Sequence, residues 1–125
     1  MRAENNLDGT HYVLAVNSLS ISRVYYVEKM GFSVLNEYPG WIFLKRDNVI
    51  LMLGECNNEQ PAHEIGDHSY FAYIEVKDAE ALHEEFKQKD IEFIKQLTDE
   101  AWGMREFGIK TVDGHRMMFG EDLDK

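Results

Sequence analysis

Three side chains at alternate positions set the first chemical question. In the stretch Tyr70 to Val76 (YFAYIEV), the phenyl ring of Phe71, the phenol of Tyr73 and the carboxylate of Glu75 stand two residues apart. In an extended strand they share one face. A phenol can donate or accept a hydrogen bond. A partly buried carboxylate needs a cation or a donor. A ligand amine would serve, and so would Arg105 or Arg116 later in the chain. Trp41 and Trp102 are the only tryptophans. Their faces stack on planar or cationic groups, a cation–π contact being worth ~0.5–2 kcal/mol. Trp102 adjoins Gly103 in a stretch with no strand or helix pattern, where a core role is less natural. His63, His68, His83 and His115 lack metal-ligand spacing and read as surface residues. Cys56 is the single cysteine and has no disulfide partner in the chain. No Ser–His–Asp or Cys–His arrangement and no glycine-rich phosphate loop is present, so no catalytic residue is assigned.

The elements that must position these residues follow from patterning. Residues 1–10 are polar and read as a loose lead-in. His11 to Val16 is short, apolar and partly β-branched, which suits a buried strand. Asn17 or Ser18 can cap a helix in which Ile21, Val24, Tyr25 and Met30 recur near helical spacing, ended by Gly31. Strands are predicted at 32–37, 41–45 and 49–53, with a turn at Arg46-Asp47-Asn48 between the last two. A strand at 70–76 then precedes a helix capped by Asp78, with Ala79, Leu82 and Phe86 as its apolar stripe. Strands at 91–97, 104–110 and 116–119 close the chain, the last two joined at Val112-Asp113-Gly114.

The order is therefore strand, helix, three strands, written twice. Phe71 follows His11 by 60 positions, and both stand five residues before a valine that ends a strand. Such spacing reads as internal duplication. The whole chain, 1–125, reads as one domain, with a first module at about 11–54, a linker at 55–69 and a second module at about 70–122.

At 125 residues, with 44% hydrophobic and 12% aromatic content, the composition is globular. Thirteen basic residues against 23 acidic ones give a formal charge of −10. That charge disfavours nucleic acid and anionic membranes as partners and permits a cationic ligand. The absence of any long apolar run and of a signal core makes the cytoplasm the expected location.

Three stretches together carry a family likeness. They are HYVLAVNSL from His11, Met30-Gly31-Phe32, and Trp102 to Phe107 continued by Val112-Asp113-Gly114-His115-Arg116-Met117-Met118-Phe119-Gly120-Glu121. In this order they resemble the vicinal oxygen chelate superfamily, which includes glyoxalase I, extradiol dioxygenases, fosfomycin resistance proteins and bleomycin resistance proteins. Val112 stands where the family's closing DPDG turn has proline. The resemblance implies an α+β fold in which two tandem βαβββ modules form curved mixed sheets around a cup. It also implies metal-ligand positions, which here hold His11, Met52, Phe71 and Met118. Thioether and phenyl groups will not hold a hard or borderline divalent ion. No metal or cofactor is therefore expected, and Met52, Phe71 and Met118 become an adaptable apolar floor.

Gly40 to Arg46 (GWIFLKR) resembles the bleomycin resistance branch, where aromatic residues at the matching strand and loop positions sandwich a flat part of the drug. The resemblance thus implies a metal-independent binding protein that sequesters a planar or cationic organic molecule, assembled as a homodimer. His11, Trp41, Met52, Phe71, Tyr73, Glu75, Trp102, Arg105 and Met118 are the expected ligand-binding residues. Glu75 is the one carboxylate placed in the cup, accompanied by Arg105 and Arg116. The competing readings are a metal-dependent lyase or oxygenase of the glyoxalase or dioxygenase type, and a fold remnant that works through protein partners.

Overall fold

The computed structural model describes residues 9–57, 64 and 70–125, with nothing stated of the side chains of Tyr70 and Phe71. Most of the lead-in, with the linker histidines His63 and His68, lies outside the described residues. The first module runs β1 (Tyr12–Val16), α1 (Leu19–Val24), a π-helical turn (Tyr25–Lys29), β2 (Ser33–Tyr38), β3 (Trp41–Arg46) and β4 (Val49–Glu55). The second runs β5 (Tyr70–Glu75), α2 (Ala79–Gln88), β6 (Glu92–Asp99), β7 (Met104–Lys110) and β8 (Arg116–Asp122). Each module makes one four-stranded mixed sheet, ordered β1-β4-β3-β2 and β5-β8-β7-β6. In each sheet the first strand runs parallel to the last, and the remaining pairs are antiparallel.

Strand alternation divides every sheet into two faces. Leu14, Val16, Ile42, Leu44, Leu51 and Leu53 on one sheet, and Phe107, Ile109, Met117 and Phe119 on the other, are all at most 6% exposed. They join one core cluster with Tyr25, Tyr26 and Phe86, carried by the helical segments. The helices thus lie between the inner faces of the two sheets, and the opposite faces are turned outward.

The first helical segment departs from the expected single α-helix. The Met30 N–H donates to the Tyr25 carbonyl five residues back, and Phe32 N–H reaches back to Tyr26. This wider turn lets two consecutive tyrosines both face inward, their rings 5.3 Å apart and nearly perpendicular.

Strands β4 and β8 also run further than their apolar patterns indicate, β4 by Gly54-Glu55 and β8 by Gly120-Glu121-Asp122. Their backbones pair with the neighbouring strands, and the added glutamates cap the helices. Glu55 Oε2 accepts from Leu19 N–H at 3.0 Å, and Glu121 Oε1 accepts from Ala79 N–H at 3.0 Å. Ser18 and Asp78 accept from the N–H groups of Ile21 and Ala81 on the same first turns. Donors that a helix start leaves open are therefore met twice in each module.

Asp113, in the β7–β8 turn, joins the modules. Its carboxylate accepts from Ser22 Oγ at 2.6 Å and from Asn17 N–H at 3.1 Å. Ser22 is fully buried, so losing its acceptor strands a desolvated hydroxyl. Asp113→Ala is expected to cost about 2 kcal/mol. In a chain of this size that is a fall of roughly 8 °C in thermal midpoint. Thermal melts of Asp113→Ala and Asp113→Asn check this, the amide restoring part of the loss.

Candidate functional site

The outward face of the second sheet is organised around Glu106, a carboxylate only 5% exposed. Tyr73 donates its hydroxyl to Glu106 Oε2 at 2.5 Å, and Lys95 Nζ donates to Oε1 at 2.9 Å. Lys95 also lies 3.2 Å from Glu100 Oε1 and 5.8 Å from the centroid of the Trp102 ring. Its ammonium is thus held by two carboxylates and an aromatic face. Burial pushes the Glu106 carboxyl up, but the bonds from Tyr73 and Lys95 outweigh it and hold it below its ordinary value. Tyr73 is pushed up by desolvation and by Glu106, and Lys95 is held up by the bond it donates to Glu106.

Glycine makes the Tyr73–Glu106 bond sterically feasible. Glu75, Gly120 and Glu106 are register partners across β5, β8 and β7. The Tyr73 ring crosses over Gly120, and a Cβ there would overlap the phenol oxygen. Gly120→Ala is therefore expected to push Tyr73 off Glu106 while leaving the sheet paired. The carboxyl ¹³C titration of Glu106 should then move up toward its ordinary value. An unchanged titration would show that the ring finds another route.

The first sheet offers a matching but apolar outward face. Val13, Met52 and Phe43 are register partners, and Ala15, Gly54 and Trp41 form the next row. Gly54 again admits an aromatic ring, since a Cβ there would sit 2.9 Å from the Trp41 indole. Val13 is 63% exposed and Trp41 40%. Strand β1 is hydrogen-bonded only to β4, and β5 only to β8, so both are sheet edges among the described residues.

The sequence pattern of the glyoxalase/bleomycin resistance protein/dioxygenase superfamily matches residues 10–119. The chain belongs to this superfamily. Solved structures agree in fold. A glyoxalase/bleomycin resistance protein/dioxygenase from Alicyclobacillus acidocaldarius superposes with a TM-score of 0.80 at 21% identity, covering 99% of this chain and 96% of that one. A bleomycin-binding protein from bleomycin-producing Streptomyces verticillus, complexed with copper(II)-bleomycin, gives 0.71 at 20% identity, covering 90% and 94%. A bleomycin resistance determinant encoded on the transposon Tn5 gives 0.77 at 15% identity, covering 93% and 98%. No curated protein sequence matches the chain significantly.

Within this superfamily fold, the positions read as metal ligands do not fit a divalent ion. His11 is exposed just before β1, and Met52 and Met118 present thioethers on two different sheets. Phe71 lies on β5, with its side chain outside the described residues. Among the described residues no three His, Cys, Asp or Glu side chains gather as a metal site would need.

The other expected residues fall into two groups. Tyr73, Met118 and Trp102 accompany Glu106 on or beside the second outward face, and Trp41 and Met52 lie on the first. Arg105 does not meet Glu75. Its Nε and Nη2 are taken by Asp99 at 2.6 and 3.0 Å. Glu75 sits at the end of the β5 edge, and Glu106 is the buried carboxylate of the face. Glu106 thus adds a second carboxylate to the sheet face on which Glu75 was expected alone. The alternation Glu106, Phe107, Gly108, Ile109 already turned Glu106 outward. Its burial comes from Tyr73 and Lys95, which no local pattern shows. His115 is buried rather than on the surface, and burial pushes its imidazole below the ordinary value against the pull of Asp113. No helix among the described residues is long and apolar enough to cross a membrane.

Proposed function

We propose that the protein binds a small planar or cationic organic molecule without a metal ion, in a cup that two copies of the chain complete. The observation carrying this reading is the pair of outward faces. One is apolar and aromatic, with Trp41, Phe43 and Met52. The other combines Tyr73 and Met118 with the buried carboxylate Glu106. Because the two faces point away from a shared core, neither covers the other within one chain. Uncovered apolar surface and bare strand edges favour a partner. A second copy brings the first sheet of one chain against the second sheet of the other, as a closed symmetric dimer allows. The flat ligand then stacks on Trp41, whose ring face also attracts a cation. The bleomycin-binding proteins among similar folds support this ligand class.

Calorimetric titration with bleomycin and a panel of planar organic cations tests the proposal. Saturable binding that Trp41→Ala weakens at least tenfold is expected. No binding across the panel by a folded protein, or stoichiometric zinc, nickel, manganese or iron bound through His11, would overturn it.

A further inference from the structure

A cavity lies in the seam between the modules and has a volume of about 750 Å³. That is the size of a pocket for a small organic molecule. Phe32 and Val49 form one wall, and Leu82, Phe86 and Phe119 form the other. The three phenylalanines are each under a tenth exposed, so the cavity reaches the common core. At its mouth Arg46 donates two bonds to Glu85, at 2.7 and 3.0 Å, and a third to the Met30 carbonyl at 2.8 Å. That guanidinium is satisfied, and Glu85 cancels its charge. The remaining charged lining is Asp47, Glu75 and Asp78 against Lys77 alone. Asp47 and Glu75 make no hydrogen bond or ion pair among the described residues, and both are exposed.

We infer that this seam is a binding site for an amphiphilic amine, with the apolar body against Phe32, Leu82 and Phe86 and the ammonium at Asp47 and Glu75. Apolar burial supplies the attraction, and the acidic mouth selects the sign of the head group. An apolar anion meets the same walls but the wrong charge. Because the walls come from both modules, an occupant braces one against the other, and binding raises the thermal midpoint. Apart from Glu75, at the end of β5, the site uses no residue of the outward faces, and its apolar walls are separate from the cup.

Octylammonium, octanoate and octanol are the probes, followed by methyl NMR on the full chain. Octylammonium should shift the methyl signals of Val49, Val76 and Leu82 saturably, with at least tenfold higher affinity than octanoate and higher than octanol. Ala81 is exposed on α2 and lines the cavity. Ala81→Trp should abolish the shifts, and Ala81→Leu, a smaller filler, should weaken them if the tryptophan disturbs the fold. Asp47→Asn with Glu75→Gln should remove the preference for the amine. Trp41→Ala should change nothing, which separates this site from the cup. Equal affinity for octanoate, shifts confined to Val13 and Met52, or indifference to both Ala81 variants would overturn the inference.

Discussion

Replacing Glu106 with alanine should destabilise the chain by about 2 kcal/mol, or roughly 8 °C in thermal midpoint. The estimate rests on what is left behind. Glu106 is buried and accepts from Tyr73 and Lys95 with separate oxygens. Breaking a fully buried ion pair costs ~3–5 kcal/mol. Lys95 is about one-third exposed and keeps Glu100, so water and the second carboxylate recover part of that. Glu106→Gln keeps an acceptor for Tyr73 and should cost about half as much. The two variants also differ from wild type in acid. The Glu106 carboxyl is held below its ordinary value of 4.5, so the unfolded chain binds more protons as pH falls. The stability it contributes is present above 4.5 and is lost as pH drops through its folded value. Glu106→Gln should flatten that part of the acid limb. Buried His115, also held below its ordinary value, contributes a separate loss that begins as pH falls below 6.5. Urea melts from pH 7 to 3 resolve the two. An acid limb identical in wild type and Glu106→Gln would show that the carboxyl is not held in its charged form.

The Glu106 group also marks the boundary of what can be read from residue order. Strand and helix positions were legible because they rest on local spacing, and Asp78 caps α2 as its type and place imply. The duplication was legible too, and the structure adds its strongest trace. Met52-Leu53-Gly54-Glu55 recurs as Met118-Phe119-Gly120-Glu121, 66 positions on. The offset differs from the 60 seen at the first strands because the modules differ in length between helix and last strand. Read in this register, the repeat predicts both helix-capping glutamates and both glycines that admit rings. The Tyr73–Glu106–Lys95 group has no such trace. It joins three strands, and its partners are 33 and 11 residues apart in the chain. The π-helical turn was hidden for a related reason. Its extra residue satisfies packing of Tyr25 and Tyr26 between the modules, while apolar spacing alone fits an ordinary helix.

Two variants that each fail to bind ligand should restore binding when combined. If one cup uses Trp41 of one copy and Tyr73 of its partner, a Trp41→Ala homodimer has no intact cup, and neither does a Tyr73→Ala homodimer. In a mixed dimer, one cup carries both substitutions and the other carries neither. Random pairing makes half of the dimers mixed, so about a quarter of all cups should bind with wild-type affinity. The prediction follows from the layering, since both inner sheet faces meet the same core and both aromatic faces point away from it. It also fits the exposure of Val13 on the β1 edge and Tyr73 on the β5 edge, 63% and 45%, which a second copy would cover. The wild-type chain should accordingly sediment near twice 14.6 kDa. The variants are co-refolded, mixed dimers are isolated by two different tags, and the tightest planar cation of the panel is titrated by calorimetry. Half-site binding at unchanged affinity in the isolated mixed dimer supports the shared cup. A mixed dimer that binds nothing places Trp41 and Tyr73 in a cup within one chain or in no common site, and a monomer that binds fully removes the second copy from the mechanism.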